Sequence, residues 1–185
     1  MRKLLLLFLL AILFISACSS EKSDLLDTSK LEEVQNKANS ALEYNPVSKE
    51  KAMEAIPFQV KFPTNLPFKA EESDVSILAW KQDLKNIVFS IKYHSTEEPN
   101  VHIEYIVANF DRFFNHIKNN DEVEEIELND GTVALFKETP FPSSELHWFK
   151  NDIEYNLHYN FVFNEDNKAK EELLKIANSL NEESH

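Results

Sequence analysis

Glycine occurs once in these 185 residues and cysteine once, and each scarcity closes off chemistry. A Walker loop, a dinucleotide fingerprint and a GxSxG nucleophile elbow all need several glycines, where backbone must approach a phosphate or turn sharply. With Gly131 alone, none of these is available. A single thiol, Cys18, leaves no internal disulfide, no CxxC redox pair and no cysteine-rich zinc site. Positive charge is also short: 19 Lys and Arg stand against 32 Asp and Glu, a net charge of -13. That balance repels nucleic-acid phosphates and offers no polybasic grip on anionic lipid, so it reads as a solubility feature.

What is present begins at the first residues. Arg2 and Lys3 form a positive start, residues 4–15 are an uncharged apolar run, and Ser16 and Ala17 are small. The run falls short of the roughly twenty apolar residues a permanent span needs, so residues 1–17 read as a signal peptide. The stretch Ile15-Ser16-Ala17-Cys18 resembles the lipobox of bacterial lipoproteins. The resemblance implies diacylglycerol on the Cys18 sulfur and cleavage just before it, chemistry suited to a thiolate nucleophile. The competing reading is an ordinary secretory signal beside a chance cysteine. Two acyl chains hold a protein on a membrane where one gives only marginal binding. Loss of residues 1–17 leaves 168 residues and, without Arg2 and Lys3, a charge of -15. Scarce Gly with abundant Lys, Asn, Glu and Ile is the composition associated with AT-rich, Gram-positive hosts. The expected location is the extracytoplasmic face of the cell membrane.

The mature chain is long enough for one sizeable core. Residues 18–47 are expected to be a lipid-anchored tether with a short helix over about 30–43, where Leu31, Val34, Ala38, Ala41 and Leu42 recur at helical spacing behind the capping box Ser29-Lys-Leu-Glu32. Residues 48–185 form the domain. A second short helix is predicted from Lys49 to Ala55 behind Ser48, ended by Pro57.

From residue 58 the period turns to two. Ile87, Phe89, Ile91 and Tyr93 alternate with Val88, Ser90, Lys92 and His94; Val101, Ile103, Tyr105 and Val107 alternate with His102 and Glu104. The longest alternation sets Ile153, Tyr155, Leu157, Tyr159, Phe161 and Phe163 opposite Glu154, Asn156, His158 and Asn160. These describe an antiparallel sheet covered on one side and wetter on the other. Hairpin turns are predicted at Asn129-Asp130-Gly131-Thr132 and Lys150-Asn151-Asp152. A last helix over about 167–181, capped by Asn164 or Asp166, carries the apolar stripe Ala169, Leu173, Ile176, Ala177 and Leu180, and a shorter one is a candidate at about 111–118. The expected class is α+β: an antiparallel, curved sheet covered by a C-terminal helix, with short N-terminal helices.

Four segments carry a second resemblance: Ala55-Ile-Pro-Phe-Gln-Val-Lys-Phe-Pro-Thr-Asn-Leu-Pro67, Gly131-Thr-Val-Ala-Leu-Phe136, Leu146-His-Trp-Phe-Lys-Asn-Asp-Ile-Glu-Tyr155 and Leu173-Leu-Lys-Ile-Ala-Asn-Ser-Leu180. Together they resemble an uncharacterised extracytoplasmic domain of Gram-positive lipoproteins and anti-sigma-type regulators. That domain is distantly similar to the curved sheet of lipoprotein-carrier and sigma-regulator sensor proteins. Phe68 and Asp152-Ile153 stand where the pattern has glycine. The resemblance implies sensing, binding or assembly, and brings no catalytic residue.

Two side-chain sets invite functional readings. His102 and Glu104 share one face of a strand, and His147 and His158 can join them from neighbours, a donor set that zinc or copper would use. There is no HExxH, and half-buried polar groups on a solvated sheet face explain the set as well, so no metal or other cofactor is expected. Among the aromatics, fourteen Phe, five Tyr and two Trp, several lie outside the cleanest alternation and either line a groove for an apolar ligand or fill the core. Trp148 and Phe149 are neighbours in a strand and point to opposite faces, so at least one leaves the core face. Trp80, Trp148 and Phe149 are therefore the candidate contacts. The acidic run Asp121-Glu-Val-Glu-Glu125 lacks the alternating ligands and turn glycine of a calcium loop.

The expectation is a membrane-anchored, non-catalytic binding, sensing or regulatory module. It acts on a protein partner or an apolar ligand, with no nucleic acid. The alternatives are an envelope or spore assembly lipoprotein, or a carrier of an apolar ligand. An enzyme would have only histidine–carboxylate acid–base chemistry to draw on.

Overall fold

The computed structural model describes residues 24–34, 41–80 and 84–181; Cys18 and residues 1–17, read above as a signal peptide, lie outside them. After a 3-10 turn at Thr28–Lys30, the elements are β1 (Ala41–Glu43), α1 (Lys49–Ala55), β2 (Ala70–Glu72), β3 (Ser76–Trp80), β4 (Ile87–Ser95), β5 (His102–Ala108), α2 (Phe114–Ile117), β6 (Glu124–Glu127), β7 (Val133–Glu138), β8 (Ser143–Lys150), β9 (Ile153–Asn160), a 3-10 turn (Glu165–Asn167) and α3 (Lys168–Asn181). The nine strands make one unclosed antiparallel sheet in the order β1-β3-β4-β5-β9-β8-β7-β6, with β2 on the free part of β4. The class is α+β, with the C-terminal helix laid on the sheet. No helix among the described residues is long and apolar enough to cross a membrane.

Register turns the period-two alternation into two faces. Ile91, Tyr105, Leu157, Leu146 and Phe136 are successive cross-strand partners, as are Phe89, Val107, Tyr155, Trp148 and Ala134. This is the core face. The α3 stripe Ala169, Leu173, Ile176, Ala177 and Leu180 is buried as expected, packed on the β8–β9 part of the sheet. Phe62 and Phe68, from the chain after α1, reach Phe89 and Tyr159 at 5.8 and 6.0 Å between ring centroids. Burial of these apolar groups is the main stabilising term, at roughly 25 cal/mol per Å² removed from water.

Turn chemistry explains the connections. Asn151 and Asp152 take φ of 52° and 61°, the pair of left-handed residues that a two-residue hairpin between β8 and β9 requires. Gly131 takes φ 83° between β6 and β7 and donates its N–H to Leu128 O. Ser48 Oγ accepts from Lys51 N–H at the start of α1, the expected cap. Asn164 Oδ1 accepts from Lys170 N–H at the start of α3, whereas Asp166 sits in a left-handed turn before it.

Three expectations are corrected. The helix over 30–43 does not form in its described parts: Ala41–Glu43 is a strand on β3, and Glu33 bridges to Tyr44. The edge of β3 offers unpaired backbone groups, and satisfying them outweighs a weak local preference for helix. The candidate helix at 111–118 shrinks to Phe114–Ile117. Finally, Phe161 and Phe163 leave the core face, because β9 ends at Asn160 and Phe161 turns to φ 61°.

Candidate functional site

The face opposite α3 is not simply the wet side. Its cross-strand rows are His94, His102, Asn160 and Ser143; then Lys92, Glu104, His158, Glu145 and Lys137; then Ser90, Ile106, Asn156, His147 and Leu135. A further pairing sets Ala108 against Glu154 and Glu154 against Phe149. At the Glu154 end this face is covered by the segment around α2, where Phe114 stacks on Phe149 at 6.1 Å. At the Asn160 end it is open.

Glu154 holds the cover in place. It is 3% exposed, and its Oε2 accepts the backbone N–H groups of Arg112, Phe113 and Phe114 at 2.6, 2.9 and 3.2 Å. Three converging N–H groups form an anion cradle, which here is filled by the protein's own carboxylate. Its other oxygen lies 3.8 Å from His147 Nδ1, an ion-pair distance longer than a hydrogen bond. On its other side, His147 Nε2 lies 3.0 Å from Glu145 Oε2 and 2.7 Å from the Asn156 side-chain amide nitrogen. Glu145 Oε1 lies 3.6 Å from His158 Nε2.

The chain of groups therefore runs Glu154, His147, Glu145, His158, from covered to open. Burial alone would push His147 down, but Glu145 and Glu154 outweigh it and hold the imidazole above its ordinary range. The hydrogen bond from His147 holds Glu145 below the usual carboxylate range. Burial opposes ionisation of Glu154, yet His147 and the three N–H groups hold it low as well. For His158 burial wins over the pull of Glu145 and Glu104, and its pKa is lowered.

The open end is a cleft of about 400 Å³ lined by Thr139, Phe141, Pro142, Ser143, Glu145, His158, Asn160 and Phe161. Its rim is built by the β7–β8 turn. Thr139 N–H donates to Ser143 O at 3.1 Å, the two hydroxyls meet at 2.5 Å, and Val162 N–H ties the end of β9 to Pro142 O at 2.8 Å. Phe141 stands between Pro140 and Pro142, whose rings fix φ. Its side chain therefore projects outward from a stiff turn, and Phe141 is 79% exposed; Phe161, in the same lining, is 59% exposed, and Phe163, two residues on, 69%. Isolated exposed apolar residues are ordinary, but grouped aromatics on one rim mark a contact surface. Phe161 also bears the cost of a left-handed conformation, strain of the kind that collects at working sites.

The sequence candidates fall in several places. Trp148 is fully buried beneath α3, stacked on Tyr155 at 5.1 Å with its N–H on Asn181 Oδ1. It is a core residue and cannot be a contact. Phe149 is on the opposite face as the alternation requires, but spends its ring on Phe114. Trp80 packs edge-on against Phe110 at 5.2 Å, at the other end of the strands from the cleft. His147 and His158 do come together, through Glu145. His102 turns its Nδ1 to Asn100 O and its ring to His94 and Phe161, while Glu104 faces Lys92 at 4.0 Å. No three His, Cys, Asp or Glu side chains among the described residues converge to hold a metal.

Glu145, Phe141, Phe161 and Phe163 were the residues that sequence reasoning missed as a site. The pattern Pro140-Phe141-Pro142 was the available signal: an aromatic between two prolines cannot sit inside a strand. Comparison of the chain with protein-family models, with curated proteins and with solved structures gives no match.

Proposed function

We propose that this chain is a lipid-tethered, non-catalytic binding module on the extracytoplasmic face of the membrane, engaging its target through the cleft lined by Phe141 and Phe161. The observation that carries the reading is the group of exposed aromatics on a rigid rim over a polar floor. Interfaces use such rings as anchors because they offer large contact area at low entropic cost. The lipobox-like Ile15-Ser16-Ala17-Cys18 supports the tether.

The buried groups favour binding over catalysis. His147, the natural acid–base candidate, is 6% exposed and engaged on both sides, so a substrate has no path to its nitrogens. His158 reaches the cleft, but its nearest titratable partner is Glu145, which His147 already holds.

The test uses the full-length chain in cells. Labelled palmitate and membrane association are expected for the wild type and lost in Cys18→Ser. A photo-crosslinking residue at Phe141 is expected to give a discrete product, and the same residue at exposed Lys118 none. Equal products from both positions, or membrane retention of Cys18→Ser, would overturn the proposal.

A further inference from the structure

We infer that the cleft takes a cationic side chain set beside an apolar one, on a segment of another extracytoplasmic protein, and meets the cation with Glu145. This rests on the cleft being the contact surface.

Position comes first. Leu26 N–H donates to Leu84 O, in the connection between β3 and β4, and Asp27 N–H to Ala55 O. Leu26 and Asp27 therefore sit at the end of the sheet where β4 begins, β5 ends and β9 begins. The cleft lies where β8 begins and β9 ends. Eight residues of β9 separate the two ends, about 25 Å at the usual rise of a strand. The six steps of chain from Cys18 to Asp24 reach at most about 21 Å. A lipid on Cys18 is thus tied to the end of the sheet opposite the cleft.

Charge narrows the partner. The mature chain carries -15, so a second copy is repelled, as is an anionic lipid surface. Exposed Glu97, Glu98, Glu138, Glu165 and Asp166 stand at the cleft end and outnumber the exposed Lys69 and Lys168, while Lys137 and Lys170 there are paired with Glu122 and Glu124. In the floor, Glu145 uses Oε2 for His147, while its Oε1 lies 3.6 Å from His158; Lys137, its cross-strand neighbour, is held by Glu122 at 3.5 Å and adds a weaker pull. A guanidinium or ammonium that donates to Glu145 Oε1 enters a cleft that Phe141 and Phe161 also line, where an aromatic face attracts a cation. The apolar remainder of the lining, Pro142 and the two Phe rings, receives the neighbouring apolar side chain.

The experiment titrates the lipidated full-length protein in phosphatidylcholine nanodiscs with three hexapeptides. One alternates arginine with phenylalanine, one has glutamate for arginine, and one has serine for phenylalanine. The first is expected to bind one per chain, and each of the others at least tenfold more weakly. Its affinity should fall several-fold between ~0.05 and ~0.5 M salt, drop about tenfold in Glu145→Gln, and vanish in the Phe141→Ser, Phe161→Ser double variant. Because Glu145→Gln also disturbs His147, the peptide exchange carries the charge test independently. Equal binding of the glutamate peptide would overturn the cationic guest and leave the cleft standing. The same holds for self-association or vesicle binding that the double Phe variant removes. Binding of the first peptide untouched by the double variant would overturn the cleft reading itself, and binding of none of the three would overturn the inference.

Discussion

Replacing Glu154 with alanine removes one acceptor and orphans three donors. The N–H groups of Arg112, Phe113 and Phe114 lose their common partner, and His147 loses one of its two carboxylates. Hydrogen bonds to a charged group contribute roughly 1.5–3 kcal/mol each. Because these three share one oxygen they do not add, and the loss is about 3–5 kcal/mol, the range for breaking a buried pair from one side. For a domain of this size each kcal/mol lowers Tm by about 2–4 °C, so Glu154→Ala should melt roughly 6–20 °C below the wild type. The urea slope should stay unchanged. Amide exchange should rise selectively over residues 109–117, the segment that Glu154 fastens to the sheet. Glu104→Ala is the control: its carboxylate is 4.0 Å from Lys92, a pair expected to contribute under about 1 kcal/mol. A Tm loss below about 2 °C for Glu154→Ala, or exchange that rises evenly along the chain, would refute the cradle as an anchor. The pH dependence has a definite sign. The folded pKa of Glu154 is lowered, so its contribution is present above the ordinary carboxylate pKa of about 4.3 and drains as pH falls through the folded value.

His147 should behave in the opposite sense. Its folded pKa is raised, so the stability it brings is complete below its ordinary pKa of about 6.5 and is lost as pH rises through the folded value. The stability gap between wild type and His147→Gln, measured by urea unfolding, should therefore narrow from mildly acidic to alkaline buffer; a gap that widens would contradict the ion-pair assignment. At Phe161, φ 61° favours glycine, and Phe161→Gly should be more stable than Phe161→Ala by about 1 kcal/mol; equal midpoints would mean that the turn relaxes at no cost. Trp148→Ala, which empties the space beneath α3 and frees Asn181, should cost about 3–5 kcal/mol, and a loss below about 1 kcal/mol would show that α3 does not clamp this ring.

What the amino-acid order determined by itself is local. The period-two runs specified β4, β5 and β9, and the helical stripe specified α3. Single residues specified the turns, because only certain side chains tolerate positive φ at Gly131, Asn151 and Asp152. The short strands β2 and β3 carried too few alternations to declare themselves, and Ala41–Glu43 became a strand only because β3 offered it an edge. The site belongs almost wholly to the tertiary level. Its residues come from β8, β9 and the turn before β8, and alternation says which face a side chain takes but not which neighbour it meets. Register set His147 beside Asn156 and Glu145 beside His158. Burial and counter-charge then moved the two histidines in opposite directions. The closing of β9 at Asn160 decided that Phe161 and Phe163 would stand in water and not in the core, since a strand's alternation ends where its pairing does.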